Sequence, residues 1–307
     1  MDLTIILCTY NRCQGLADAL TTLAAQRVDP GIEWEILLVD NNSSDKTPEV
    51  YRRFKDCFPV PLRYVFESKQ GLSHARNRGI AEASGKYVAF TEDDELADEG
   101  WVQAIVATFQ EYSCEAVAGQ IDLAWRCPRP QWLTDDLLGF LGHLDYGKAQ
   151  VLSQESPPFG GNMAFRKDIF NTIGLFDAHL GRQGRKLIGG EETELYSRFS
   201  QAGLVAVYQP NAVMHHVVEQ NRLKKSYFRR LHFNEGQVQG ARRHIQPGRR
   251  IWGVPIFLIP HLYRSLSSFI SVGARRGFNK SLREEMTVWW HWGFLTGCYK
   301  AHRLQRQ

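Results

Sequence analysis

KYVAFTEDDE, residues 86–95, joins two opposed characters within ten positions. Tyr87, Val88, Ala89 and Phe90 form a short apolar run of strand formers behind Gly85, which predicts a buried strand. Glu92, Asp93, Asp94 and Glu95 follow at once. Four carboxylates at a strand end repel one another unless a cation lies among them, and hard oxygen donors suit Mg2+ or Mn2+. Taken alone, the tetrad fits a solvated acidic loop after an edge strand equally well. The flanking sequence must decide between the two.

Upstream, Leu3–Thr9 (LTIILCT) is a continuous apolar run, expected of a strand covered on both faces in a parallel sheet. After a TYNR turn, Leu16, Ala19, Leu20, Leu23 and Ala24 recur at helical spacing. Trp34–Val39 repeats the pattern, closing on DNNSSD and a helix over Thr47–Phe54 with Ser44 or Asp45 as its cap and Pro48 in its first turn. Leu62–Phe66 is a third strand, and Ser73–Ala83 a helix leading into the strand at Tyr87. Such alternation predicts a Rossmann-like, mostly parallel α/β sheet that binds ligands at the carboxyl ends of its strands. Three of those ends carry polar residues: Thr9-Tyr10-Asn11-Arg12, Asp40-Asn41-Asn42 and Glu92-Asp93-Asp94. Together they predict one crevice.

Downstream, Trp101–Phe109 reads as a helix and Glu115–Ile121 as a strand. Arg126–Ser156 lacks a period and reads as a long loop with a short helix. In PFGGNMAFRKDIF, Gly160-Gly161 lets the backbone approach another group closely, and Ala164-Phe165 resumes an apolar strand. Val205–Tyr208 is a further strand, followed by Pro210 and the His215-His216 pair.

The 307 residues, 43% hydrophobic, suffice for one large core plus an appendage. Six cysteines without CxxC spacing read as free thiols in a reducing compartment, not as a zinc site or disulfide scaffold. No leader-like pattern precedes the first strand, so a cytoplasmic protein is expected. The formal charge of +4 hides a division: from Arg222 onward there are 17 Lys/Arg against 3 Asp/Glu, and before it 20 against 30. A basic tail on an acidic body points to an anionic partner, phospholipid or nucleic acid.

Six stretches, in order, carry a resemblance: IILCTYNR, EILLVDNNSSDKT, SHARNRGIAEASGKYVAFTEDDE, GGNMAFRKDIFNTIGLFD, GGEETELYSRFSQAG and PNAVMHH. Over residues 3–220 the chain resembles a family 2 glycosyltransferase with a GT-A fold. The resemblance implies a nucleotide-diphosphate-sugar donor, a divalent metal (Mn2+ or Mg2+) and transfer with inversion at the anomeric carbon. It places Thr9, Tyr10, Asn11 and Arg12 in the nucleotide pocket, Asp40 on the base and Arg76 facing the donor. Glu92-Asp93-Asp94 match the family's DXD motif, with Asp94 as metal ligand and Glu92 where aspartate is usual. Glu191-Glu192 match its ED motif, making Glu192 the catalytic base, again glutamate for aspartate. Acids at a helix N-terminus also simply complement its dipole. Of the two histidines, spacing favours His216 as a metal or diphosphate contact. Arg198 is expected to pair with an acid or support the base.

These readings divide the chain into a catalytic domain, residues 1–220, and a basic, Trp-rich helical extension, residues 221–307. In the extension, Leu258, Leu262, Leu266, Phe269 and Ile270 form an apolar helical stripe, a helix is interrupted at Pro247-Gly248, and Met286–Leu295 holds three tryptophans. The uncharged run Ile251–Tyr263 is too short to span a bilayer. The expectation is a peripheral enzyme on the inner face of the cell membrane, bound through 222–307 to anionic lipid, with no nucleic acid. Its acceptor is expected to be lipid-linked or another saccharide, in surface polysaccharide or glycan assembly. A nucleotidyltransferase would carry a Gly- and Lys-containing phosphate loop after the first strand, which TYNR is not. A catalytically silent nucleotide-sugar or nucleic-acid binding protein is the other alternative, and donor hydrolysis distinguishes it. A processive synthase would carry several membrane spans.

Overall fold

The computed structural model describes residues 1–152, 160–182, 189–242 and 249–304. The first half follows the expected alternation: β1 (Leu3–Thr9), α1 (Cys13–Ala24), β2 (Trp34–Asp40), α2 (Thr47–Phe54), β3 (Leu62–Phe66), α3 (Leu72–Glu82) and β4 (Tyr87–Glu92). β4 ends on Glu92, Asp93-Asp94 form a turn, and Glu95 opens a new strand, β5 (Glu95–Ala97). Then come α4 (Trp101–Glu111), β6 (Ala116–Trp125), β7 (Gln150–Val151), β8 (Met163–Arg166), α5 (Phe170–Ile173), α6 (Glu191–Gln201) and β9 (Ala206–Val218). The C-terminal part contributes α7 (Lys225–Arg242), the hairpin β10 (Arg250–Ile251) and β11 (Val254–Pro255), α8 (Leu258–Arg276) and α9 (Leu282–Leu304).

Among the described residues the sheet runs β3-β2-β1-β4-β8-β6-β9-β5, with β7 on β9. β3, β2, β1 and β4 are parallel, and β8 lies antiparallel to β4. Alternation along β1 explains its unbroken apolar run. Leu3, Ile5 and Leu7 pack with Leu16, Leu20, Trp101 and Ile105 of α1 and α4 on one face. Ile6 and Cys8 join Ala75, Ile80, Phe170, Leu195 and Phe199 on the other. This is the layered α/β arrangement in which both strand faces are covered by helices.

Register then decides where the polar ends meet. Thr9 lies beside Asp40, Cys8 beside Glu92 and Asp40 beside Phe66. Asp45 takes the Thr47 N–H at 3.0 Å and its hydroxyl at 2.6 Å, starting α2, and also the Cys13 N–H at 2.9 Å at the start of α1. One carboxylate thus holds two loops of the crevice.

Three features differ from the sequence reading. β9 runs unbroken through Pro210 to the histidines, because it changes partner along its length: β7 pairs at Val207-Tyr208 and β5 at Met214–His216. The long loop contains the expected short helix, a 3-10 helix at Asp135–Leu141, but also an unexpected short strand, β7; of it, residues 153–156 lie outside the described residues, as does the expected break at Pro247-Gly248. The described residues form two units, and a division into two consecutive segments does not reproduce them: residues Met1–Ala124, 142–182 and Gly190–Val217 make one, while Trp125–Leu141 belongs with residues 218–304.

Within the second unit α7 and α9 touch backbone to backbone. A Cβ on Gly236 would lie 2.1 Å from the Trp290 carbonyl oxygen, and one on Gly240 2.1 Å from that of Phe294. Reciprocally, Gly293 and Gly297 face the carbonyls of Phe233 and Gln237 at 2.0 and 2.1 Å. Two Gly-xxx-Gly pairs interlock the helices.

Candidate active site

At the end of β1, backbone and side chains converge on the β4 turn. The Thr9 hydroxyl donates to Asp93 Oδ2 at 2.8 Å, and the Tyr10 N–H to the same oxygen at 3.3 Å. Arg12 spans both aspartates, Nε lying 3.3 Å from Asp93 Oδ1 and Nη1 2.9 Å from Asp94 Oδ2. Asn11, at φ +51°, receives the Ser44 N–H on its side chain at 2.7 Å and gives its own N–H to Ser43. The TYNR turn and the acid turn are one hydrogen-bonded object.

Asp40 is 1% exposed. The Tyr64 hydroxyl donates to its Oδ2 at 2.6 Å and the Ser43 N–H to its Oδ1 at 2.9 Å. The turn-capping role of an Asx residue is therefore present; Tyr64, which no sequence motif singled out, fixes the other oxygen. Asn41 closes the neighbouring loop, donating to Lys69 O at 2.7 Å and accepting from the Gly71 N–H at 2.7 Å.

Arg76 lies beneath the carboxylates. It is 1% exposed; Nη1 donates to Glu191 at 3.2 Å, and Nη2 donates to Glu92 and to Glu192 at 3.0 Å each. The family resemblance places Arg76 facing the donor; in the structure its guanidinium is shared among three acids. Glu191 and Glu192 open α6, whose N-cap Gly190 has φ +96°. Glu191 is buried, its Oε2 without a hydrogen-bond partner among the described residues, while the Glu192 side chain is 28% exposed. Arg198, as expected, pairs with an acid: Glu194, at 2.7 and 2.8 Å.

The Gly160-Gly161 backbone lies against these acids. A Cβ on Gly160 would fall 1.7 Å from Glu192 Oε1, and one on Gly161 1.5 Å from Glu95 Oε1. Asn162 beside them is a buried clasp, taking the Trp101 indole N–H at 2.7 Å and donating to the carbonyls of Gln120 and Ala212. It connects β8 to β6, β9 and α4.

From β9, His216 Nε2 reaches Asp94 Oδ2 at 3.4 Å. His215 and His216 alternate along the strand, and it is His216 that turns toward the acids.

Charge decides what else the crevice accommodates. Glu92, Asp93, Asp94, Glu95, Glu191 and Glu192 face two guanidiniums, Arg12 and Arg76. Burial, and then the charge of Asp94, push Asp93 up to about 7. Burial, and then Glu92, raise Glu95 well above the carboxylate range. Burial, and then Glu192, push Glu191 up to about 7. Among the described residues these acids outnumber the cations beside them, so a divalent cation fits. Among the described residues no three His, Cys, Asp or Glu side chains form a metal cluster by themselves. To such a cation Asp94 would offer a carboxylate oxygen and His216 an imidazole nitrogen.

Known proteins resemble this chain in sequence and architecture. The family model described as Glycosyl transferase family 2 matches residues 4–174. A glucosyl-dolichyl phosphate glucuronosyltransferase of Haloferax volcanii is 24% identical over 220 residues, 70% of this chain and 69% of that protein. Succinoglycan biosynthesis protein ExoM of Rhizobium meliloti is 25% identical over 242 residues, 78% of this chain and 74% of its own length. Among solved structures, the mannosyltransferase PcManGT of Pyrobaculum calidifontis, in complex with GDP-Man and Mn2+, matches with a TM-score of 0.62 at 18% identity, over 99% of this chain and 88% of that one. At that identity the likeness speaks for the fold.

Proposed function

The chain belongs to glycosyl transferase family 2 and has the GT-A fold, and from that premise we propose that it moves a single sugar, with inversion, from a nucleotide-diphosphate-sugar to an acceptor hydroxyl. One observation carries this reading. Glu192, a partly exposed carboxylate, sits in one hydrogen-bonded frame with Glu92 at the end of β4, so that a proton acceptor and the donor-side acids share a crevice.

The nucleotide lies along the β1 and β2 ends, against Thr9, Tyr10, Asn11, Arg12 and Asp40, with Glu92, Asp93 and Glu191 lining the donor side. Asp94 and His216 would hold a divalent cation, which when bound would supply charge neutralisation for the diphosphate leaving group. Glu192 accepts the acceptor hydroxyl proton as that oxygen forms its bond to the anomeric carbon. The bond from that carbon to the diphosphate breaks, and its electron pair leaves with the phosphate oxygen. A single displacement inverts the centre.

The acceptor side is read from the second unit. Among the described residues no helix is long and apolar enough to cross a membrane. Yet Ile259, Tyr263, Leu266 and Ile270, spaced along one side of α8, are exposed, and so is Trp252 of the adjoining hairpin, at 74%. Arg249, Arg250, Arg264, Arg275 and Arg276 are exposed as well. Apolar and cationic surface together favour a peripheral position on the anionic cytoplasmic leaflet and a lipid-linked acceptor. The half-buried Leu258, Leu262 and Phe269 belong to the inner side of that helix, so the exposed stripe is shifted from the one read in the sequence.

Turnover of Glu192→Gln against a panel of nucleotide sugars tests the chemistry. A fall of at least ~10²-fold with nucleotide affinity unchanged is expected of a lost general base; near-normal turnover refutes the role. Flotation tests the location: the protein should rise with anionic vesicles at low salt, and equal binding to neutral vesicles refutes the electrostatic part.

A further inference from the structure

Base catalysis at Glu192 depends on where its carboxylate is held, and the groups holding it are on the page. Glu192 lies in the first turn of α6 on a side chain with three torsions, 28% exposed. Left to itself such a side chain samples several rotamers. Among the described residues two contacts limit it: Arg76 Nη2, 3.0 Å from Oε1, and the Gly160 backbone, so close that a Cβ there would overlap the same oxygen.

Arg76 is in turn fixed from below. The Phe176 ring centroid lies 5.3 Å from the guanidinium carbon. Asn77, the next residue of α3, clasps the backbone of Phe176 in both directions, donating to its carbonyl at 2.8 Å and accepting its N–H at 2.9 Å. The guanidinium thus rests on a platform held by its own helix. Its Nη2 serves Glu192 and Glu92 together, so base and donor-side acid hang from one nitrogen. Nη1, on Glu191, fixes the in-plane angle.

We infer that Arg76 is the positioning residue of the transfer reaction: its buried fork aims the Glu192 carboxylate and locks that aim to the Glu92 end of the donor site. The inference rests on the reading of Glu192 as base. A buried cation among three acids is also what lets them remain close without mutual expulsion, since removing one partner of such a group leaves charges uncompensated. Lysine is a poor substitute, because a point ammonium lacks the planar fork that spans three carboxylates. Reaching out to a donor phosphate would require Arg76 to release Glu92 and Glu192, so its effect on donor affinity should be small.

The test separates kcat from donor binding. With the nucleotide sugar that the wild type turns over best, Arg76→Gln should lower kcat by ~10²-fold, the scale of misplaced reacting groups. UDP or GDP affinity in Mn2+, by titration calorimetry, should stay within about 3-fold on that argument. Arg76→Lys should recover part of kcat. A kcat within about 3-fold of wild type, or lost nucleotide affinity with kcat retained, overturns the inference; the second result would make Arg76 a phosphate contact. If Arg76→Gln does not fold, Gly160→Ala answers instead. Its methyl would first meet the far ends of the Glu192 and Arg76 side chains, so kcat should fall, and a wild-type kcat overturns the inference. Glu192→Gln keeps the two readings apart: an inactive Glu192→Gln beside a fully active Arg76→Gln rejects positioning alone, and an active Glu192→Gln rejects the base itself.

Discussion

The carboxyl end of the parallel sheet and the C-terminal helices depart from the usual inside-outside rule in opposite directions. In the first, Arg76, Asp93, Asp94, Glu95 and Glu191 are buried. In the second, Trp252, Phe257, Ile259, Tyr263 and Ile270 are exposed. Buried charge and exposed large apolar surface are the two informative exceptions to ordinary burial. They teach different things. Charge buried in mutually paired clusters costs stability and is kept for chemistry, whereas apolar surface left outside marks contact with something equally apolar.

The largest effect expected from breaking this contrast is at Asp94. Asp94→Asn should remove the metal-dependent part of UDP or GDP affinity, a loss beyond the ~10–100-fold typical of outer-shell partners, and a chelator should do the same to the wild type. Titrations with and without Mn2+ decide it; equal affinities for the two proteins reject Asp94 as ligand. Next come the interlocked glycines. Gly236→Ala or Gly240→Ala forces α7 and α9 apart and should cost about 1–3 kcal/mol, about 2–4 °C of melting temperature per kcal/mol. Nucleotide affinity should be untouched, and if it falls in parallel the two regions are not energetically separable.

A smaller effect belongs to Glu191. Burial raises its pKa above the unfolded value, to about 7, so the folded state takes up a proton. The sign follows: stability is full below the unfolded pKa and declines as pH rises through 7. Glu191→Gln should flatten that decline, gaining melting temperature at pH 8 relative to pH 5; an unchanged pH slope rejects it. The smallest change in stability is expected on α8. Ile259→Glu with Ile270→Glu should alter folding by only ~0.5 kcal/mol each, as surface positions do, yet abolish vesicle flotation. Unimpaired flotation would move the lipid contact elsewhere.

The parallel half of the fold was legible because each strand is a local object: an apolar run, a polar end, a helical repeat. The acid turn and the GGEE helix start were legible for the same reason. The duty of Arg76 was not, since its partners lie 16, 115 and 116 positions away and none is marked by spacing. Tyr64 was missed likewise, 24 positions from Asp40. The interlocked helices did leave a signal, glycines four apart at Gly236/Gly240 and at Gly293/Gly297, each pair on one side of its helix. The grouping of Trp125–Leu141 with the C-terminal unit left none: Trp132 and Phe140 meet Phe228 edge-on, a contact without sequence periodicity.

The separations around Arg76 also set an order of events in time. The guanidinium and Glu92 belong to the contiguous first hundred residues, where β1 to β4 can pair through short connections. Glu191 and Glu192 arrive only when α6 docks, across a span of more than a hundred residues. Closing that span costs little more free energy than closing one of half its length, about 0.6 kcal/mol per doubling, but non-local contacts form slowly. Until they form, the lower half of the molecule holds a guanidinium with one carboxylate instead of three. If Glu192 is the base proposed above, competence for proton transfer would then be among the last properties the chain acquires.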